Sequence, residues 1–216
     1  MKLKKIASLM LAGIMAVSML AGCKDNPSSN SEPTTPVTPV TGAAAIVNGE
    51  LNEKKDVISF SDSDVMTNLL TNYYKENPIS GNAWNAGHNV LTDTKDTKLY
   101  DAMNDLIGVT DGKKIDKVEL ADHDTYGLKS SGEYTYCTIY YVNNDFVTEE
   151  DALRMAGQLV DDLDMPKDHE WVDNNMTKGL NFAYTGDIAA IEAESKGGTE
   201  SVWVVAVAIT LTATDK

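Results

Sequence analysis

The segment Val202–Ile209 restricts the fold more than any other part of this chain, because all of its residues are apolar. Successive side chains of a β-strand point to opposite faces of the sheet, so a strand of this composition needs cover on both faces. It lies within the strand-forming run Ser201–Thr212, which follows the run Leu180–Glu194 after the permissive turn Lys196–Thr199. These features predict an antiparallel hairpin whose second strand is central in a sheet. Gly186, inside the first strand, is typical of a β-bulge.

Other segments carry the signals of further strands and helices. Lys114–Leu120 and Glu133–Asn143 have residue types that favour strands. Helices are predicted from capping residues and from apolar residues three and four positions apart, in the segments Ser61–Pro78, Asp96–Ile107 and Thr148–Leu163. Helices come mostly first and the strands follow with short connections. The sequence therefore predicts the α+β class, with an antiparallel sheet of about four strands and about three helices packed on a face.

The N-terminus has the parts of a secretory signal peptide. Lys2, Lys4 and Lys5 precede the apolar run Ile6–Leu20, which ends in the motif Leu20-Ala21-Gly22-Cys23. The run is shorter than the roughly 20 residues that a membrane-spanning helix needs. Its final motif resembles the lipobox of bacterial lipoproteins. That resemblance implies cleavage before Cys23 and attachment of a diacylglycerol to its sulfur. An ordinary signal peptide and an uncleaved helix are the alternatives.

This interpretation divides the chain into three parts. Residues 1–22 are the signal peptide, 23–42 are the lipidated N-terminus and a tether rich in Ser, Thr and Pro, and 43–216 are a single α+β domain. Repeated prolines favour extended polyproline II geometry, which suits a spacer. Two acyl chains on one residue anchor a protein stably. We therefore expect an extracytoplasmic protein, anchored by lipid to the cell membrane.

The chain is strongly acidic, with 33 Asp and Glu residues, 18 Lys and Arg residues and a net formal charge of -15. Cleavage before Cys23 removes three lysines and no acid, which makes the charge of the mature chain -18. Such a field repels nucleic acid and anionic lipid headgroups and favours cations or basic partners. We expect no nucleic-acid binding. The simpler interpretation of the acidity is that it keeps an exported protein soluble.

Cys137 is the only thiol in the chain besides Cys23. If Cys23 is lipidated, Cys137 has no partner for an internal disulfide. It alternates with Ile139 and Tyr141 along a predicted strand, which suits a small buried residue. A catalytic thiol would need a basic neighbour, and the sequence places none beside it. We expect Cys137 to lie in the core.

The segment Asp122–Glu133 places Asp122, Asp124 and Glu133 at the first, third and twelfth positions of a loop. This spacing resembles the calcium loop of EF-hand proteins, whose oxygen ligands occupy those positions. Tyr126 replaces an oxygen ligand of that pattern, and the predicted flanking elements are strands. The three carboxylates therefore predict a candidate calcium site, and an ordinary hairpin connection explains the segment equally well.

Two polar stretches contain tryptophan. The first includes Trp84, Asn85 and His88, and the second includes Trp171 and Asp173. An indole ring stacks on the apolar side of a sugar, while amide and carboxylate groups bind its hydroxyls. These five residues are therefore candidates for glycan binding. The alternative is that each tryptophan fills the core beneath a loop whose asparagines and glycines form turns.

The predicted function follows from the anchor and from the absence of familiar catalytic motifs. The sequence contains no Gly-x-Ser-x-Gly, Ser-x-x-Lys or His-Glu-x-x-His pattern and no phosphate-binding glycine loop. We expect a cell-envelope lipoprotein with a noncatalytic binding or interaction domain, whose partner is an envelope glycan or protein, and which needs no cofactor. The alternatives are an envelope glycan hydrolase that uses a pair of carboxylates and a surface domain stabilised by calcium.

Overall fold

A computed structural model describes residues 37–79, 90–109, 115, 128–194 and 200–216 of the chain. These residues form an α+β domain with seven strands and four helices. The predicted class is confirmed, and the described residues contain more strands and helices than the sequence predicted. The strands are β1 (Val37–Pro39), β2 (Phe60–Asp62), β3 (Thr92–Asp93), β4 (Gly132–Asn143), β5 (Asp168–Asp173), β6 (Met176–Glu194) and β7 (Ser201–Asp215). The helices are α1 (Ala43–Glu50), α2 (Asp64–Glu76), α3 (Thr97–Ile107) and α4 (Glu149–Asp161).

The sheet is built around the long strands β6 and β7. They pair antiparallel, as the sequence predicts, and the register places Leu180 opposite Asp215 and Glu194 opposite Ser201. The other edge of β7 pairs with β4, and β4 pairs with the short β3. The other edge of β6 pairs in turn with β5, β2 and β1. Of the described strands, β2 alone runs parallel to its neighbour. The central position of β7 is confirmed.

Helices lie on both faces of the sheet rather than on one. Val205 and Val207 of β7 belong to a first core, together with buried residues of α1 and α4. Val204 and Ala206 belong to a second core, together with buried residues of α2 and α3. Alternate residues of a strand face opposite ways, so a strand that is apolar throughout requires this double cover. The middle layer of the domain is therefore the sheet.

Three of the four helices were predicted, and their ends carry the expected signals. The side chain of Ser63 caps α2 by accepting a hydrogen bond from the backbone N–H of Met66. The side chain of Thr148 caps α4 by accepting a hydrogen bond from the backbone N–H of Asp151. Helix α3 ends at Gly108, which has a φ of 67°. A left-handed residue after the last turn is a common helix stop and favours glycine. Local sequence therefore determines where these helices begin and end.

The N-terminal part of the domain begins earlier than predicted. Val37–Pro39 forms β1 and pairs antiparallel with β6, although the sequence places these residues in the tether 23–42. Helix α1 then starts at Ala43, directly after Gly42. The end of the proline-rich region is therefore a strand of the sheet. Of the predicted strand Lys114–Leu120, all residues except Ile115 lie outside the described residues.

Gly186 does not form the bulge that the sequence predicts. It pairs in regular register with Ile209, and its neighbours continue the same ladder. The ring of Phe60 in β2 lies directly against it, because a Cβ atom at position 186 would be 2.5 Å from two ring carbons. The absence of a side chain at Gly186 is therefore what allows β2 to pair with β6 at this point.

Candidate ligand-binding site

Most of the residues singled out from the sequence fall outside the described part of the chain. This applies to Cys23, Trp84, Asn85, His88, Asp122 and Asp124. The described candidates are Glu133, Trp171 and Asp173.

Trp171 is half-buried on the edge strand β5. Its indole packs against the first core and stacks on the ring of His169, with the ring centres 5.7 Å apart and an angle of 16° between the planes. On the neighbouring strand, the side chain of Lys178 donates a hydrogen bond of 2.7 Å to Asp173. That hydrogen bond and the lysine charge lower the pKa of the Asp173 carboxyl. Part of the indole is therefore used in packing, and the carboxylate is used in an ion pair.

The asparagines that follow Asp173 form a turn. Asn174 and Asn175 have φ values of 51° and 64°, and Asp173 lies opposite Met176 in the β5–β6 ladder. Positive φ at both central residues defines the two-residue turn that suits a hairpin, and asparagine tolerates it well. This stretch therefore has the structure that its turn-forming residues favour.

Glu133 is exposed at the start of β4, opposite Thr212 of β7. Within the described ranges, no group of three or more His, Cys, Asp and Glu side chains is placed to hold a metal ion. The calcium loop predicted from Asp122, Asp124 and Glu133 stays a prediction.

A cavity of about 520 Å³ lies between the end of α2, the start of α3 and strand β4. We call it the tyrosine pocket. The residues that give it its chemical character are Tyr73, Tyr74, Lys95, Asp96, Lys98 and Tyr141. Three phenol rings, two ammonium groups and one carboxylate thus border a single cavity.

Asp96 holds the wall of the tyrosine pocket together. Its Oδ1 accepts hydrogen bonds from the backbone N–H groups of Lys98 and Leu99, at 3.1 and 3.3 Å, and so caps α3. Its Oδ2 accepts a hydrogen bond of 2.5 Å from the hydroxyl of Tyr73, near the end of α2. One carboxylate therefore links the two helices that cover the second face of the sheet.

The two neighbouring tyrosines of α2 have different surroundings. Tyr74 is buried in the second core, while Tyr73 is half-buried at the pocket, and their rings meet edge to face with centres 5.5 Å apart. Burial raises the pKa of both hydroxyls, and for Tyr73 the hydrogen bond to Asp96 and the charge of Asp96 raise it further. Both phenols therefore stay protonated at neutral pH, and because Tyr73 donates its O–H to Asp96, it offers the cavity a neutral ring.

The charge at the tyrosine pocket differs in sign from that of the whole chain. Lys95 and Lys98 are exposed on either side of Asp96. Neither lysine forms an ion pair with another of the residues that the structure describes. The charge of Asp96 is partly offset by its three hydrogen-bond donors and by the positive end of the helix that it caps. Among the described residues that line the cavity, two lysines therefore stand against one carboxylate, in a chain whose total charge is negative.

The sequence analysis did not single out this pocket. In the sequence, Tyr73 continues the helical spacing of apolar residues in the predicted helix Ser61–Pro78, and Asp96 begins the predicted helix Asp96–Ile107. One signal was present, because a helix that buries a single face cannot bury both Tyr73 and Tyr74 fully. Lys95 adjoins Asp96 in the chain, whereas Tyr141 is brought to the pocket by tertiary structure.

None of the helices in the described ranges is long and apolar enough to cross a bilayer. The chain matches no protein-family model, no curated protein and no solved structure.

Proposed function

We propose that this chain is a lipid-anchored protein of the cell envelope whose α+β domain binds a ligand without transforming it. The ligand-binding site is the tyrosine pocket. The proposal of a lipid anchor rests on the motif that ends at Cys23. Thirteen residues separate Cys23 from Val37 at the start of β1. At about 3.1 Å per residue, an extended proline-rich chain of this length spans about 40 Å, which would hold the domain clear of the membrane surface.

The observation that carries the binding function is the way Asp96 organises the tyrosine pocket. Because its carboxylate bonds both Tyr73 and the first turn of α3, the ring and the polar groups beside it are fixed before a ligand arrives. A preformed site avoids much of the entropy cost of ordering side chains on binding. Aromatic walls with a few placed polar groups are typical of small-molecule sites.

The chemistry of the pocket favours binding over hydrolysis. A glycosidase of the usual kind needs two carboxyl groups that flank the scissile bond. Among the described residues that line the tyrosine pocket, Asp96 is the one carboxylate, and both of its oxygens already accept hydrogen bonds. The groups that line the tyrosine pocket can therefore hold and orient a ligand.

The anchor is tested by comparing the chain with its Cys23→Ser variant in the producing cell. We expect the unaltered chain to incorporate labelled fatty acid and to enter the detergent phase on phase separation. The variant should carry no label and stay in the aqueous phase. Equal partitioning of the two forms into the aqueous phase would refute the lipid anchor.

The binding site is tested with two matched variants in the same strand. Tyr141→Leu removes a ring from the tyrosine pocket, and Tyr134→Leu removes a half-buried ring at the other end of β4. Each purified protein, held in detergent micelles so that its lipid cannot insert into membrane, is incubated with lipid-extracted envelope fragments from the producing organism and sedimented. We expect Tyr141→Leu to lose most of its retention and Tyr134→Leu to keep it. Equal retention of both would exclude the pocket, and new reducing ends in the supernatant would favour the hydrolase alternative.

A further inference from the structure

We infer that the ligand of the tyrosine pocket is a saccharide that carries a carboxylate, of the hexuronate class. This inference rests on the proposed binding function and names the ligand of that same site. One ligand has to fit two features of the pocket at the same time, namely the aromatic rings of the pocket and its pair of lysines.

The rings select a ligand with flat apolar faces and polar edges. Tyr73 and Tyr141 present phenols at the cavity, and both are half-buried. A pyranose ring has C–H groups on its faces and hydroxyls on its rim, so it can contact an aromatic face and still use its hydrogen bonds. Asn77, Thr94 and Thr97 also line the cavity and supply side-chain donors and acceptors.

The lysines select a negative charge on that ligand. Lys95 and Lys98 border the same cavity, and no ion pair to the rest of the described chain uses either of them. A neutral sugar would leave both ammonium groups without a counter-charge. The whole chain carries a net formal charge of -15, which repels anions in general. The two lysines, which outnumber the one carboxylate among the described lining residues, would offset that repulsion at this cavity.

The state of the α3 N-terminus favours a carboxylate over a phosphate. Phosphate sites commonly use the free backbone N–H groups at the start of a helix. Here the N–H groups of Lys98 and Leu99 already bond Oδ1 of Asp96. The remaining cationic donors are lysines, which act as point charges and attract a carboxylate and a phosphate alike. The preference for a carboxylate therefore rests on the two N–H groups that Asp96 already occupies.

The test uses probes that differ only in charge. Oligogalacturonate and oligoglucuronate of four units are compared with their fully methyl-esterified forms, which keep the sugar rings and lose the carboxylates. Glucose 1-phosphate serves as the phosphate probe. Binding to the full-length chain in detergent micelles is measured by titration calorimetry at low salt. We expect at least one free acid to bind roughly tenfold more tightly than its ester, as two partly screened ion pairs would give.

Two lysine variants locate the charge. Lys98→Met should reduce the affinity for the acid about threefold to fivefold and leave that for the ester unchanged, because it removes one of the two ion pairs. Lys55→Met, at an exposed lysine that does not line the pocket, should change neither affinity. Added salt should weaken binding of the acid and have little effect on the ester.

Several outcomes would overturn the inference. These are equal affinities for acid and ester, preferential binding of glucose 1-phosphate, no binding of any probe, and no effect of Lys98→Met. If envelope retention still depended on Tyr141 in such a case, the binding function would stand and only the ligand class would be wrong. If retention did not depend on Tyr141, the pocket itself would be excluded.

Discussion

The contact between Gly186 and Phe60 is where a single methyl group should damage this fold most clearly. A Cβ atom at position 186 would lie 2.5 Å from Cδ1 and Cε1 of the Phe60 ring, whereas carbon atoms in contact are normally about 3.5 to 4.0 Å apart. The ring would have to retreat by about 1 Å or more. The side chain of Asn48 opposes a shift of the strand, because its Oδ1 and Nδ2 bond the backbone N–H and C=O of Phe60 at 2.8 and 2.9 Å. Burial of the ring in the first core opposes its rotation.

The expected cost of Gly186→Ala follows from these contacts. Inserting a methyl group into a well-packed core costs typically about 1 to 3 kcal/mol. The better strand propensity of alanine returns only a fraction of 1 kcal/mol. We therefore expect the free energy of unfolding to fall by about 2 kcal/mol, which for a domain of this size corresponds to a melting temperature lower by about 4 to 8 °C. Urea unfolding should show a lower midpoint with an unchanged slope.

Gly49 provides the matched control. It lies within α1, no heavy atom is within 4 Å of the position that its Cβ would occupy, and its φ is not positive. Gly49→Ala should therefore raise the free energy of unfolding by up to about 1 kcal/mol through helix propensity. The two glycine-to-alanine changes should have opposite signs.

A double variant identifies the cause. Phe60→Ala removes the ring and costs about 3 to 5 kcal/mol alone. In that background Gly186→Ala meets no ring, so it should cost nothing further, and the interaction energy of the pair should be about 2 kcal/mol. If Gly186→Ala cost as much without the ring as with it, the close approach of Phe60 would not be the reason for the glycine.

Other predictions concern buried groups and the contact between α1 and α4. Cys137 is fully buried and burial raises the pKa of its thiol to about 12, so in a Cys23→Ser background it should react with a thiol reagent only after unfolding; prompt reaction would refute this. Burial raises the pKa of Tyr74 and Tyr100 above the ordinary value of 10, so their contribution to stability should be complete below pH 10 and lost as the pH rises beyond it. A urea midpoint constant from pH 8 to 11 would contradict that. Gly157→Ala would place a Cβ atom 2.7 Å from the Cβ of Glu50 in α1. This variant should lower the free energy of unfolding by about 1 to 3 kcal/mol in the same urea assay. An unchanged free energy of unfolding would mean that α1 can move away and would contradict the close packing of α1 on α4.

The elements predicted correctly are those whose signals are local. Helix α4 combines a capping threonine, early acids and a regular apolar stripe, and β7 is an unbroken apolar run. Such segments can be recognised without knowledge of their partners, because the pattern of their apolar residues already indicates which surfaces have to be buried. The hairpin of β6 and β7 is of the same kind.

The elements that were missed depend on tertiary contacts. Helix α1 buries only Ala43, Ala44 and Val47, so its apolar stripe is weak, and it packs closely on α4 where Gly157 leaves room for Glu50. Strands β1, β2 and β3 are two or three residues long and exist because β6 or β4 provides a partner. No period can be detected in segments this short. Strand β5 was detectable in principle, since Asn174 and Asn175 separate two strand-forming runs.

The candidate site was missed for a related reason. A pocket assembled from the end of one helix, the cap of another and a strand leaves no continuous motif in the chain. Tryptophans are rare and large, so they are conspicuous in a sequence, whereas Tyr73 and Asp96 each fit an ordinary structural role in a helix. The role that we propose for them depends on the hydrogen bond between them.

The same hydrogen bonds connect the stability of the second face to binding at the pocket. Helices α2 and α3 are joined through Tyr73 and Asp96, and α3 is tied to the sheet because the hydroxyl of Tyr100 accepts a hydrogen bond from the backbone N–H of Ile139. A ligand between Tyr73, Tyr141 and the start of α3 would therefore contact all three elements at once. Because these contacts exist only in the folded state, occupation of the pocket must raise the melting temperature. The pocket lies where α2, α3 and the sheet meet, so the proposed ligand binding and the packing of this layer would depend on the same side chains.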